Sequence, residues 1–206
     1  MDSVDLCDLF NKYGTSKDRS GYGPIYHTLF SKIRDESITI LEIGIGTLIP
    51  DVPSSMVGFG LEGYKPGGSL RVWRDFFINA RVIGIDIQPD TQFTDEPRIE
   101  TFICNSTKPE DVAELMKKLE NIKFDIIIDD GSHQDMDQIA TLRNFYSHLK
   151  DDGLYIIQDI YPGSKVSGCP ALIGCFCNHD PYFFVGVKNN LCVINKHHLN
   201  SKRANY

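Results

Sequence analysis

The sequence predicts an α/β fold: a mostly parallel sheet with helices on both faces, ending in an antiparallel hairpin. Three observations predict it. Short β-branched runs alternate along the chain with segments of helical apolar spacing. The runs are apolar at consecutive rather than alternate positions, as in strands buried on both faces. Two of them stop abruptly in polar side chains, and in open α/β sheets ligands bind just outside the carboxyl ends of the strands.

Each element has its own signal. Residues 4–13 read as a short helix, and 23–34 as a second with Ile25, Leu29, Phe30 and Ile33 on one face. The first strand is 38–43. A Gly- and Pro-rich stretch, 44–68, shows no clean periodicity. Ser69 reads as the cap of a helix to about 79, with Leu70, Trp73, Phe76 and Phe77 as its apolar side. Strands at 81–87 and 99–104 follow. Pro109 suits the first turn of a helix reaching 119, with Glu110 and Asp111 favourably near its N-terminus. A strand at 124–128, a helix at 135–149 and a strand at 154–157 continue the alternation. Finally, 182–187 and 191–195 flank Lys188-Asn189-Asn190, a hairpin signature. The last ten residues are polar and expected to fray.

Composition sets the outer limits. The 206 residues suit one domain, 1–206, with 1–35 as N-terminal helices. The apolar fraction is 41% and the charged fraction 24%, ordinary for a globular protein. A formal charge of -7 argues against a protein built to grip a nucleic-acid backbone. The apolar runs are far too short to span a bilayer. The first residues, Met1-Asp2-Ser3-Val4-Asp5, show neither a basic leader nor an apolar core of a signal peptide, so a cytoplasmic protein is expected. Cys7, Cys104 and Cys192 read as buried thiols. The Cys169/Cys175/Cys177/His179 group lacks the paired spacing of a structural zinc site and reads as incidental. A homo-oligomer is left open.

Chemistry concentrates at the strand ends. The first strand runs into Glu42-Ile43-Gly44-Ile45-Gly46, whose glycines permit a tight turn and close approach to a ligand. A dinucleotide loop would need a third glycine opening a helix onto a pyrophosphate. Here Thr47-Leu48-Ile49-Pro50 follows and the helix is delayed, which favours a cofactor without a pyrophosphate. Asp86, ending the second strand, has the position and charge to accept from ribose hydroxyls, with Ile87 beside it. Asn105 and Ser106, past the third strand, suit an adenine amine, although Ser106 serves equally as a helix cap. Phe124-Asp125-Ile126-Ile127-Ile128-Asp129-Asp130-Gly131-Ser132-His133 and Tyr155-Ile156-Ile157-Gln158-Asp159 are the richest runs. If their strands are neighbours, Asp130, Gln158 and Asp159 converge beside His133. Three oxygen donors and an imidazole suit metal-assisted deprotonation of a hydroxyl. Tyr13, Thr15 and Tyr22 could line the cofactor or acceptor pocket; bland alternatives are the aspartates as loop caps, His133 as a packing histidine, and Tyr13, Thr15 and Tyr22 as core. Asp125, at the start of its strand, stays outside the site, and Trp73 reads as packing.

Together, Glu42-Ile43-Gly44-Ile45-Gly46, Asp86, the Phe124-Asp125 strand and the terminal hairpin resemble a Rossmann-like class I S-adenosylmethionine (SAM)-dependent methyltransferase with a seven-stranded sheet. More narrowly, Lys12-Tyr13-Gly14-Thr15, Gly67-Gly68-Ser69-Leu70-Arg71-Val72-Trp73-Arg74-Asp75, Gly84-Ile85-Asp86 and Asp129-Asp130-Gly131-Ser132-His133 are similar to the metal-dependent sugar O-methyltransferases of macrolide pathways, the macrocin and mycinamicin type. The likeness covers about 12–159. It implies a SAM site at Glu42, Gly44, Gly46, Asp86, Ile87, Asn105, Ser106 and Asp129, with Tyr13 and Thr15 nearby. It implies Mg2+ (or another divalent cation) on Asp130, Gln158 and Asp159, His133 as the base, and a sugar or glycoside hydroxyl as acceptor. Segments 48–67 and 161–181 would cover the active site. Gln158 departs from the Glu or Asp of such relatives, which predicts weaker metal affinity. The alternatives are a catechol-like or other antibiotic-tailoring acceptor, or a SAM-binding protein with degraded catalysis.

Overall fold

A computed structural model describes residues 5–52, 55–59, 63–160, 182–185 and 190–195. Its centre is one seven-stranded sheet of β1 (Thr39–Ile43), β2 (Arg81–Asp86), β3 (Ile99–Ile103), β4 (Phe124–Asp129), β5 (Leu149–Ile160), β6 (Tyr182–Val185) and β7 (Asn190–Asn195). The order is β3-β2-β1-β4-β5-β7-β6. Strands β1 to β5 pair in parallel, while β7 pairs antiparallel with both β5 and β6. The chain reverses direction across the sheet between β1 and β4, so the ends of these two strands open a crevice. The Cys169/Cys175/Cys177/His179 group and segment 161–181 lie outside the described residues, as do parts of 48–67.

Helices α1 (Leu6–Lys12), α2 (Gly23–Phe30) and α3 (Gly68–Phe76) cover one face, and α4 (Pro109–Lys118) and α5 (Asp135–Phe145) the other. Period-2 alternation distributes the β-branched runs between two cores. Ile126 and Ile128 pack with Phe10, Tyr26 and Trp73, whereas Ile127 packs with Leu115, Ile139 and Leu142. Burial on both faces is why the strands read as continuous apolar runs. No described helix is long and apolar enough to cross a membrane.

Several boundaries differ from expectation, each for a local reason. Gly67, not Ser69, precedes α3: it adopts the left-handed region (φ 79°) and its N–H donates to Ile45 O at 2.8 Å. Ser69 is buried inside the helix and its hydroxyl serves Glu42. The helix at 135–149 stops at Phe145; a 3-10 turn, Tyr146–His148, hands the chain to β5. Strand β5 is longer than 154–157 because Leu149 already pairs with Phe124, and the register then shifts before Ile126 meets Leu154. Ser106 caps no helix: Lys108 holds the N-cap position of α4, and Ser106 Oγ bonds Thr141 Oγ1 at 2.9 Å. Cys7 is half-buried rather than buried; Cys104 and Cys192 are buried as expected.

Candidate functional site

The crevice is floored by the turn after β1. Gly44 (φ 82°) donates its N–H to Ile85 O at 2.8 Å, and Asp130 N donates to Ile43 O at 2.8 Å. The turns after β1 and β4 are thus in direct contact. A Cβ on Gly44 would collide with the Asp130 carbonyl and come within 2.9 Å of Gly131 Cα, so the glycine is required by close approach as well as by φ. Gly46 (φ 80°) lies beneath the Tyr64 ring, whose hydroxyl donates to Ile45 O at 3.2 Å. Asp90, a residue without a signal in the sequence, accepts from Thr47 Oγ1 at 2.6 Å and Leu48 N at 2.7 Å.

Asp86 stands where expected, at the end of β2. Its two oxygens accept from Ile45 N and Gln88 N, both at 3.0 Å, which ties the β1 turn to the β2 end. Ile87 beside it exposes 57% of its surface, an apolar wall open to a ligand. Asn105 closes a local turn through Thr107 N (3.1 Å) and Thr107 Oγ1 (2.8 Å). Tyr13 points into a charged group on α3: its hydroxyl donates to Asp75 and accepts from Arg74 at 3.2 Å. Thr15 is buried, and its hydroxyl has no hydrogen-bond partner among the described residues.

The polar ends of β4 and β5 meet, as the sequence requires if the strands are neighbours. One donor atom each from Asp130, His133 and Asp159 lies within 4.8 Å of the others. His133 Nε2 is 4.0 Å from Asp130 Oδ1 and 3.7 Å from Asp159 Oδ2. Both His133 (φ 58°) and Asp159 (φ 54°) hold left-handed backbone, strain that non-glycine residues bear where surrounding structure imposes it. For Asp159 the cause is visible. Between Ile157↔Cys192 and Ile160↔Asn190, β5 advances three residues while β7 advances two, a bulge that re-aims Gln158 and Asp159.

Gln158, expected as a third oxygen ligand, is buried with its carboxamide committed elsewhere. Its Oε1 accepts from Lys17 at 3.2 Å and its Nε2 donates to the Tyr26 hydroxyl at 2.7 Å. Lys17, which carried no signal in the sequence, is the main electrostatic feature here. Only 4% exposed, its ammonium lies 2.6 Å from Asp130 Oδ2 and 3.1 Å from Glu42 Oε1. Burial opposes that charge, but Asp130 and Glu42 outweigh it and hold Lys17 above its usual value. Burial pushes the Glu42 carboxyl up, an effect that Lys17 and Ser69 only partly offset, and Trp73 Nε1 donates to Glu42 Oε2 at 2.9 Å. Trp73 is thus both packing and an anchor. Tyr22, also absent from the expected metal set, donates its hydroxyl to Asp159 Oδ1 at 2.8 Å; burial and Asp159 keep that phenol protonated. Asp129 is 2% exposed, accepts among the described residues only a 3.3 Å bond from Gly131 N through Oδ1, and is pushed up to about 7 by burial.

Comparison with known proteins agrees with the resemblance read from the sequence. The chain is 33% identical over 163 residues, 76% of its length, to the demethylmacrocin O-methyltransferase of Streptomyces fradiae. The chain is related in sequence to the macrocin and mycinamicin type of sugar O-methyltransferases. A second relative, the 8-demethyl-8-alpha-L-rhamnosyl tetracenomycin-C 2'-O-methyltransferase of Streptomyces olivaceus, is 30% identical over 85% of the chain. No protein-family model matches. Among solved structures, MycE from the mycinamycin biosynthetic pathway, in complex with Mg and SAH, superposes with a TM-score of 0.72 at 24% identity. That match covers 94% of this chain and 56% of MycE, and shows the shared class I methyltransferase fold. The chain spans only 36% and 42% of the lengths of the two curated relatives.

The donor set fits a divalent cation. Two carboxylates converge with an imidazole at 4.8 Å or less, and carboxylate oxygens are the ligands a hard ion accepts. The Gly44–Gly46 turn, its backbone held by Asp86 at Ile45 N and by Tyr64 at Ile45 O, adjoins that set through the contact between the β1 and β4 turns.

Proposed function

We propose that the chain is a SAM-dependent O-methyltransferase that uses a divalent cation, Mg2+ or a similar ion, to methylate a hydroxyl of a sugar or glycosylated small molecule. One observation carries it: Asp130, His133 and Asp159 converge at the ends of β4 and β5, beside the Gly44–Gly46 turn. The relatives support the choice of acceptor, since one of them is a rhamnosyl tetracenomycin-C 2'-O-methyltransferase.

In this reading Asp130 and Asp159 hold the cation, which when bound supplies Lewis-acid activation of the acceptor hydroxyl. SAM supplies an electrophilic methyl that needs no further activation. The protein's own work is then orientation and proton transfer. Gly44 and Gly46 would let the backbone approach the cofactor, Asp86 would accept from its ribose hydroxyls, and Ile87, Asn105 and Ser106 would hold its adenine. Glu42, Asp129, Tyr13 and Thr15 line or support the same crevice. His133 takes the acceptor's proton at Nε2, and the carboxylates 3.7 and 4.0 Å away stabilise the imidazolium that results.

Methyl transfer from labelled SAM to a panel of deoxysugar conjugates, with and without EDTA, tests the reading. Transfer abolished by the chelator and restored by Mg2+ is the expected result. His133→Ala should lose roughly 10²–10⁴-fold in turnover while binding SAM as the wild type does; equal loss of both would make His133 structural. A second reading, SAM binding without turnover, draws on the commitment of Gln158 to Lys17 and Tyr26. SAM binding with no transfer to any acceptor would favour it.

A further inference from the structure

The three polar residues at the ends of β4 and β5 are each held by a different side chain from one stretch of chain outside the sheet. Lys17 donates to Asp130 Oδ2 at 2.6 Å, Tyr22 donates to Asp159 Oδ1 at 2.8 Å, and the Tyr26 hydroxyl accepts from Gln158 at 2.7 Å. The stretch is itself braced. Tyr22 N donates to Lys17 O at 3.0 Å and Tyr26 N to Tyr22 O at 2.9 Å. The Tyr22 and Tyr26 rings are buried and meet edge to face, and Tyr26 packs on Trp73.

The consequence is a division of each carboxylate. Asp130 gives Oδ2 to Lys17 and turns Oδ1 toward His133; Asp159 gives Oδ1 to Tyr22 and turns Oδ2 toward His133. A carboxylate with one oxygen fixed by an outer donor no longer rotates freely about its Cβ–Cγ bond. The entropy of orienting it is then lost on folding rather than on cation binding. The need is greatest at Asp159, whose backbone sits on a bulge in the left-handed region and so gives its side chain no regular strand direction.

We propose that Tyr22 is a positioning residue of the cation site: its hydroxyl fixes one oxygen of Asp159, as Lys17 fixes one oxygen of Asp130, so that the two carboxylates present their opposite oxygens toward His133. This rests on the reading of the cluster as a divalent-cation site. It assigns the N-terminal stretch, which is not part of the sheet, a direct part in metal affinity. Tyr26 has a different assignment, since its hydroxyl anchors Gln158 and touches neither carboxylate ligand.

Calorimetric titration of Mn2+ into the chain saturated with S-adenosylhomocysteine tests this on wild type, Tyr22→Phe and Tyr26→Phe. Each variant removes one hydroxyl from the same aromatic pack and keeps the ring, so a general packing defect would appear in both. Tyr22→Phe should weaken Mn2+ binding by about tenfold or more, with S-adenosylhomocysteine affinity within about twofold of wild type. Tyr26→Phe should bind Mn2+ as the wild type does. Unchanged Mn2+ affinity in Tyr22→Phe, or equal weakening in both variants, overturns the positioning role and leaves the cation site standing. Absence of Mn2+ binding by the wild type overturns the cation site itself and this inference with it.

Discussion

Replacing Asp129 by Asn should make the protein more resistant to rising pH. Asp129 ends β4 with its side chain almost wholly out of water; Oδ2 is buried with no hydrogen-bond partner among the described residues. Burial, the first cause, and the neighbouring Asp130 and Asp137 push its carboxyl from 3.8 up to about 7, against a single favourable bond from Gly131 N. Between those two values the native state binds a proton that the unfolded chain has released. Stability is therefore greatest below the unfolded value and falls as pH rises toward 7, at up to about 1.4 kcal/mol per pH unit. From pH 5.5 to 8.5 this one group should remove about 2 kcal/mol, roughly the fraction of its full effect that lies above pH 5.5. Asn keeps the shape and cannot titrate. Urea denaturation followed by circular dichroism, in EDTA and without SAM, should thus show the stability difference between Asp129→Asn and wild type growing by about 2 kcal/mol over that range. Taking the difference cancels the histidines common to both proteins. A difference constant to within about 0.5 kcal/mol would refute the reasoning, because it would mean that Asp129 is ionised throughout and that its buried oxygen has a partner. A cation at Asp130 would counter the repulsion between the two carboxylates, so repeating the series with Mg2+ should flatten the wild-type curve.

Two further substitutions probe the couplings in the crevice. Gly44→Ala drives a methyl group into the Asp130 carbonyl and imposes a strained φ, so it should lower the affinity for SAM and for Mn2+ together, with a stability loss of about 1–3 kcal/mol; thermal melts and two calorimetric titrations would show it, and loss of only one ligand would contradict the contact between the turns. Gln158→Glu places a carboxylate where Lys17 already donates, which should tighten Mn2+ binding by roughly tenfold; unchanged affinity would show that the group at 158 does not influence the cation.

Much of this was legible in the chain itself. Consecutive β-branched residues such as Ile126-Ile127-Ile128 suited a strand covered on both faces, and Gly44-Ile45-Gly46 without a third glycine pointed away from a pyrophosphate. The convergence of Asp130, His133 and Asp159 was expected for the same reason: polar residues at the carboxyl ends of neighbouring parallel strands lie on the side where ligands bind. Tyr13 was placed near the pocket by position alone. In the folded chain its hydroxyl belongs to the Asp75–Arg74 group on α3, a pairing across 62 residues of sequence that no local pattern encodes.

The sequence by itself determined the sheet, its parallel direction, the hairpin and which strand ends gather polar side chains, because each depends on periodicity or on a short local motif. Only the tertiary structure decided how those ends are equipped. Lys17 lies 113 residues from Asp130 and Tyr22 lies 137 from Asp159, so their partnerships exist only once α1 and α2 dock on the sheet. Gln158 and Asp159 look alike as neighbours after a strand, yet the β5 bulge sends one into Lys17 and Tyr26 and the other toward His133. A bulge is a mismatch between two paired strands, and it is set by the pairing with β7 rather than by the residues on either side of it.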